Sequence, residues 1–159
     1  MADRIDGFSG TYVLADLDAT RTLAGRIAAG LQGGHAIALR GELGAGKTAL
    51  ARDILRALGV TEHVPSPTFT LIQTYETGRG PVFHFDLYRI EDESELEQLG
   101  FDEALSQGIV LVEWPDRAPN AIPGDALNVM LEIDAGNVRR AAISGTVYWR
   151  DFLDDKNHD

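Results

Sequence analysis

Eight consecutive residues, Gly41-Glu42-Leu43-Gly44-Ala45-Gly46-Lys47-Thr48, combine the types that grip a polyphosphate. They satisfy the pattern G-x-x-x-x-G-K-[ST], in which each fixed position has a physical task. Glycines let the backbone take turns closed to other residues, so that Gly41, Gly44, Ala45 and Gly46 can present successive N–H groups to phosphate oxygens. Lys47 adds a point charge for the β- and γ-phosphates, and the Thr48 hydroxyl is an oxygen donor suited to Mg²⁺. Two acids further along could share such an ion. Asp86 closes the mostly apolar run Pro81–Phe85, and Glu113 closes the apolar run Gly108–Val112. In open α/β sheets the ligand lies beyond the carboxyl ends of the strands, where Thr48, Asp86 and Glu113 would converge. Each acid also has a plainer reading, as a polar residue where a strand leaves the core.

The neighbouring stretches have the form this chemistry needs. Ala36–Arg40 (AIALR) is a short apolar run suited to a buried strand, and Thr48–Leu58 puts Leu50, Ile54, Leu55 and Leu58 on one helical face. Strand, glycine loop and helix N-terminus come in order, and the helix dipole favours an anion there. Upstream, Gly10–Leu17 reads as an edge strand, with Asp18 as N-cap of a helix over Ala19–Leu31 whose Leu23, Ile27 and Leu31 share a face. Downstream, Phe69–Tyr75 and Pro81–Tyr88 read as a β-hairpin about the turn Glu76–Gly80. The acidic run Glu91–Glu97 suits a helix start, Gly100 closes it, and Phe101–Leu105 adds another helical turn. Ala126–Ile133 and Arg139–Val147 read as a closing antiparallel pair.

Between the loop helix and the hairpin lies His63–Thr70 (HVPSPTFT). Pro65 and Pro67 enforce extended backbone around Ser66. The hydroxyls of Ser66, Thr68 and Thr70 suit a nucleotide-sensing loop, or equally a rigid entry to the next strand that satisfies its own backbone. His84, between two phenylalanines, reads as a structural hydrogen-bonding residue rather than a catalytic one. Arg89 offers an arginine finger in cis, with an ion pair to the following acids as the simpler reading.

Composition bounds the function. At 159 residues one domain is expected, with 1–9 and the acidic tail 151–159 frayed. No run has the length of a membrane span, and the N-terminus lacks a basic-then-apolar signal pattern. The absence of cysteine excludes disulfides and thiolate metal sites and fits a reducing cytoplasm. A formal net charge of −11 argues against unaided binding to DNA, RNA or an anionic membrane, and for a protein partner with a basic face.

Taken together, GELGAGKT, SPTFTL, HFDLYRI, ELEQLGFDEAL and VEWPDR resemble the TsaE (formerly YjeE) family in order and spacing, from about Ala19 to Arg140. The resemblance implies a P-loop NTPase-like α/β fold, a three-layer sandwich with a mixed central sheet flanked by helices. It implies ATP and Mg²⁺ as ligands, with Gly44–Thr48 on phosphate, Thr48 and Glu113 on the metal, and Asp86 as the Walker-B-like acid. Ser66, Pro67 and Thr68 match a switch-like segment, and Trp114 a tryptophan beside the site. Adenosine contacts fall loosely on Ala15–Leu17, here assigned to Leu17. One arginine near the last strand also touches nucleotide; spacing leaves Arg139 and Arg140 open, and Arg139 is taken as the candidate. The family is an ATPase, slow alone, that cycles a TsaB–TsaD complex. TsaD places threonylcarbamoyl on adenosine-37 of tRNA, so tRNA is reached only through the complex. Outside the resemblance, a small-molecule P-loop kinase and a nucleotide-dependent assembly module with incidental hydrolysis also fit the loop. A GTPase fits less well, because no [NT]KxD guanine-reading motif is present.

Overall fold

The computed structural model describes residues 7–64 and 71–154. Seven strands form one sheet: β1 (Gly7–Leu14), β2 (Ala36–Arg40), β3 (Ile72–Thr77), β4 (Gly80–Asp86), β5 (Ile109–Glu113), β6 (Leu127–Ile133) and β7 (Arg139–Thr146), in spatial order β1-β7-β6-β2-β5-β4-β3. The four inner neighbours β6, β2, β5 and β4 run parallel. Hairpin partners add antiparallel strands at both margins, which makes the sheet mixed.

Alternation along the strands decides what covers each face. Ile109 and Leu111 of β5 join Ile37 and Leu39 of β2 under two helices, α1 (Leu17–Gly30) and α2 (Lys47–Ala57), which contribute Leu23, Ile27, Leu50 and Ile54. Val110 and Val112 face the other way, onto α3 (Ser94–Gln98) and α4 (Phe101–Gln107), with Phe85 meeting Phe101 edge-on at 5.0 Å. Covered on both sides, β5 is apolar throughout until Glu113. The result is the expected three-layer α/β sandwich with a mixed sheet.

Several boundaries differ from the sequence reading. β1 begins at Gly7, so Gly7–Ser9 are not frayed; they pair with Ser144–Thr146, and the buried Phe8 ring anchors them. The cap of α1 is Asp16, not Asp18. Asp16 has extended backbone, and its carboxylate accepts from the Ala19 N–H at 2.8 Å, whereas Asp18 is exposed in the first turn beside Arg21. The hairpin turn is only Gly78-Arg79, because Thr77 already pairs with Gly80.

The start of the tail is the larger correction, while residues 155–159 lie outside the described residues. Arg150–Leu153 form a short helix, α5, and Trp149 and Leu153 are fully buried. Tyr148 and Trp149 pack against His35, Phe152 packs against both of them, and the Tyr148 hydroxyl donates to the Gly30 carbonyl at 2.6 Å. Gly30 is required there for space: a β-carbon would lie 2.7 Å from the Trp149 ring. Burial of these rings outweighs the acidic character of the segment.

Candidate functional site

The sheet delivers its polar residues to one place. Lys47, His84, Asp86 and Glu113 are the buried polar or charged side chains among the described residues, and all four lie at the carboxyl edge of β2, β4 and β5. Burying such groups is costly unless they are paired, so their grouping is itself informative.

The loop from β2 to α2 comes first. Gly41, Gly44 and Gly46 have φ of +143°, +85° and +107°, which side chains rarely adopt. Gly41 is also hemmed in, since a β-carbon would sit 2.7 Å from the Leu131 carbonyl. Gly46 caps α2 in the left-handed conformation with no side-chain partner, so the first N–H groups of α2 open onto the loop. Lys47 Nζ donates to the Gly41 and Glu42 carbonyls, the latter at 3.0 Å, and stands 4.0 Å from the centre of the Trp114 ring. Burial lowers the Lys47 pKa from its ordinary value, and the Glu113, Asp86 and Asp116 carboxylates oppose that shift.

Opposite the loop, β4 and β5 end side by side, with Asp86 in register with Glu113. The Thr48 hydroxyl donates to the Glu113 carboxylate, 2.8 Å from Oε1 and 3.0 Å from Oε2. Asp86 Oδ1 accepts from the Tyr88 N–H at 2.9 Å, which turns the chain outward after the strand. Trp114 follows Glu113 with φ of +59°, a conformation costing a non-glycine residue about 1–2 kcal/mol, and it packs on Tyr88 at 4.8 Å. That backbone turn sends the indole back over Lys47. A cavity of about 280 Å³ results, lined by Gly44, Gly46, Lys47, Thr48, Asp86 and Glu113, among others.

Arg139, at the start of β7, lies against the loop: its Nε is 3.6 Å from where a β-carbon on Gly46 would be. Arg140 pairs with Asp134 at 2.7 Å instead. Leu17 opens α1 and is exposed, but it is not among the residues lining this cavity. Arg89 does line it. Ser66, Pro67 and Thr68 lie outside the described residues. A larger hollow of about 710 Å³ on the other side of the loop, beside Met130 and Ile133, contains neither Lys47 nor Thr48.

The sequence reading passed over one contact. His84 does make a structural hydrogen bond, but its partner is Glu113, with Nε2 2.7 Å from Oε2. The available signal was parity: residues 84 and 86 of one strand point to the same face.

Comparisons with known proteins bear on the family and the fold. A family model described as "Threonylcarbamoyl adenosine biosynthesis protein TsaE" matches residues 14–142. The tRNA threonylcarbamoyladenosine biosynthesis protein TsaE of Bacillus subtilis is 41% identical over 71% of this chain and 71% of its own. The protein of that name from Nostoc sp. is 39% identical over 82% and 83%. The crystal structure of YdiB from Bacillus subtilis superposes with a TM-score of 0.78 at 26% identity, covering 96% of this chain and 95% of that one. On the matched span, the identities and the shared sheet, the chain belongs to the TsaE family.

Proposed function

We propose that this protein is a Mg²⁺-dependent ATP hydrolase that serves formation of N6-threonylcarbamoyladenosine in tRNA by cycling a complex of TsaB- and TsaD-like partners. Family membership supports the pathway. The observation carrying the chemistry is the Thr48–Glu113 contact at the mouth of a glycine loop that also presents Lys47.

The donor set suits Mg²⁺. Thr48, Asp86 and Glu113 offer hard oxygens, and Thr48 and Glu113 are already within 2.8 Å of each other. Among the described residues no three acidic or imidazole side chains cluster closely enough to hold an ion alone. Magnesium bound through one or two side chains plus phosphate oxygens and water needs no such cage. Held by Thr48, Glu113 and Asp86, Mg²⁺ would supply positive charge to offset the negative charge that develops on the phosphates. Glu113 has a defined task beside it. A Thr48 hydroxyl that offered a lone pair to a cation would keep its hydrogen, and the Glu113 carboxylate accepts the hydrogen bond from it.

Lys47 and the loop N–H groups would stabilise negative charge on the phosphates as the bond between the γ-phosphorus and the β–γ bridging oxygen breaks. Asp86 or Glu113 would orient the attacking water, whose oxygen bonds to that phosphorus. ADP and phosphate leave, and the water's surplus proton passes to phosphate or solvent. Slow turnover in the isolated chain follows if a partner completes the water site. The acidic surface charge favours docking on proteins over direct contact with tRNA, in the cytoplasm. In calorimetric titrations with ATP, Lys47→Ala should lose binding by at least about 100-fold, and tRNA modification reconstituted with the partners should fail. Hydrolysis at the wild-type rate by Lys47→Ala would overturn the reading.

A further inference from the structure

We propose that His84 is a positioning residue for Glu113: from inside the core it fixes the direction of that carboxylate and so sets the site's affinity for a divalent cation. The inference rests on the proposed function for the identity of the ligand. The geometry behind it does not.

His84 is 0% exposed. On β4 the residues Val82, His84 and Asp86 share the face towards α2, and on β5 so do Ile109, Leu111 and Glu113. With Leu111 directly across from His84 in the parallel register, Glu113 is the diagonal neighbour, and the imidazole reaches it at 2.7 Å. The other ring nitrogen, Nδ1, has no hydrogen-bond partner among the described residues. The polar capacity that this ring uses is therefore spent on Glu113 and not on a backbone group. A buried unpaired nitrogen carries a desolvation penalty that an aliphatic side chain at this position would avoid. Against a carboxylate, which only accepts, Nε2 must carry the hydrogen.

Glu113 is thus held from two sides. His84 donates to Oε2 from below, and Thr48 donates from the first turn of α2, closest to Oε1. A glutamate has three rotatable bonds, and these two contacts remove its freedom to swing away from the cavity. His84 is fully buried, Nδ1 included, and does not line the cavity, so its influence on an ion there passes through the carboxylate. Groups that orient metal-binding side chains in this way change metal affinity by about 10–100-fold when removed.

The test compares His84→Phe, which keeps a ring without a donor, with His84→Gln, whose amide nitrogen reaches the Nε2 position. Mn²⁺ binding to the protein–ADP complex is measured from the depletion of the free Mn²⁺ EPR signal, and ADP binding in EDTA by calorimetry. His84→Phe should weaken Mn²⁺ about tenfold, His84→Gln should stay within about threefold of wild type, and ADP affinity in EDTA should be the same for all three. Should His84→Phe fail to fold, His84→Asn replaces it, since its amide stops short of Glu113 and must weaken Mn²⁺ likewise. Wild-type Mn²⁺ affinity in the donorless variant, or equal weakening in His84→Gln, overturns the inference. If Thr48→Val lowers Mn²⁺ affinity and the donorless variant does not, only the role of His84 falls. If the wild-type protein binds no Mn²⁺ with ADP, the proposed function falls and takes this inference with it.

Discussion

Two regions solve opposite problems with similar material. At the glycine loop, a buried lysine, histidine and two carboxylates are each held by hydrogen bonds, and a tryptophan is bent into a left-handed turn to cover them. At the far end of α1, His35, Tyr148, Trp149 and Phe152 form an aromatic clasp that ties the tail to the fold. One region keeps charge out of water at a cost in stability, and the other removes apolar surface from water. Each contains one histidine and one tryptophan. The difference shows that residue type says little until the neighbours are known.

Breaking the clasp should have the largest effect on stability. Trp149→Ala leaves a cavity beside Gly30, and chemical denaturation should report a loss of about 3–5 kcal/mol. Glu113→Gln should do the reverse, lowering Mn²⁺ affinity about 10–100-fold while moving the unfolding midpoint little, because it removes a buried charge and keeps the shape. If both variants lose stability alike, the two regions are not separable.

A third prediction uses pH. Burial lowers the His35 pKa, and Asp125 opposes the shift. Its Nδ1 accepts the Gln32 N–H at 3.0 Å, an interaction a proton on that nitrogen would end. The unfolded chain therefore binds more protons around the ordinary histidine range. Stability should be complete above about pH 6.5 and should fall as pH drops through that value towards the folded pKa. In His35→Gln that acid limb should flatten in urea midpoints taken from pH 7.5 to 5.5. An unchanged slope would remove His35 from the account. The smallest effect separates the observed cap, Asp16, from the one expected, Asp18. Asp16→Ala should cost about 1 kcal/mol, and Asp18→Ala less than about 0.5 kcal/mol.

These cases mark what could be read from the chain in advance. β2, the glycine loop and α2 were legible because hydrophobic period and glycine spacing are local. The apolar run closing on Glu113 was legible as a strand tip for the same reason. The expected cap is Asp18, and the end of β1 at Leu14, short of the expected Leu17, is what puts it at Asp16. The tail read as frayed because its apolar residues have no visible purpose until Gly30 and His35 are beside them. The partner of His84 depends on the pairing of β4 with β5, strands joined through two helices, and no local pattern carries that register.

The placement of Trp114 has an optical consequence. The chain has two tryptophans, one in each region compared above. Trp149 is sealed in apolar surroundings and should emit at short wavelength, largely indifferent to ligands. The Trp114 indole has an ammonium 4.0 Å from its ring centre, so an anion that draws Lys47 away should alter its emission intensity. With Trp149 replaced by Phe, the remaining light would report on the loop lysine alone.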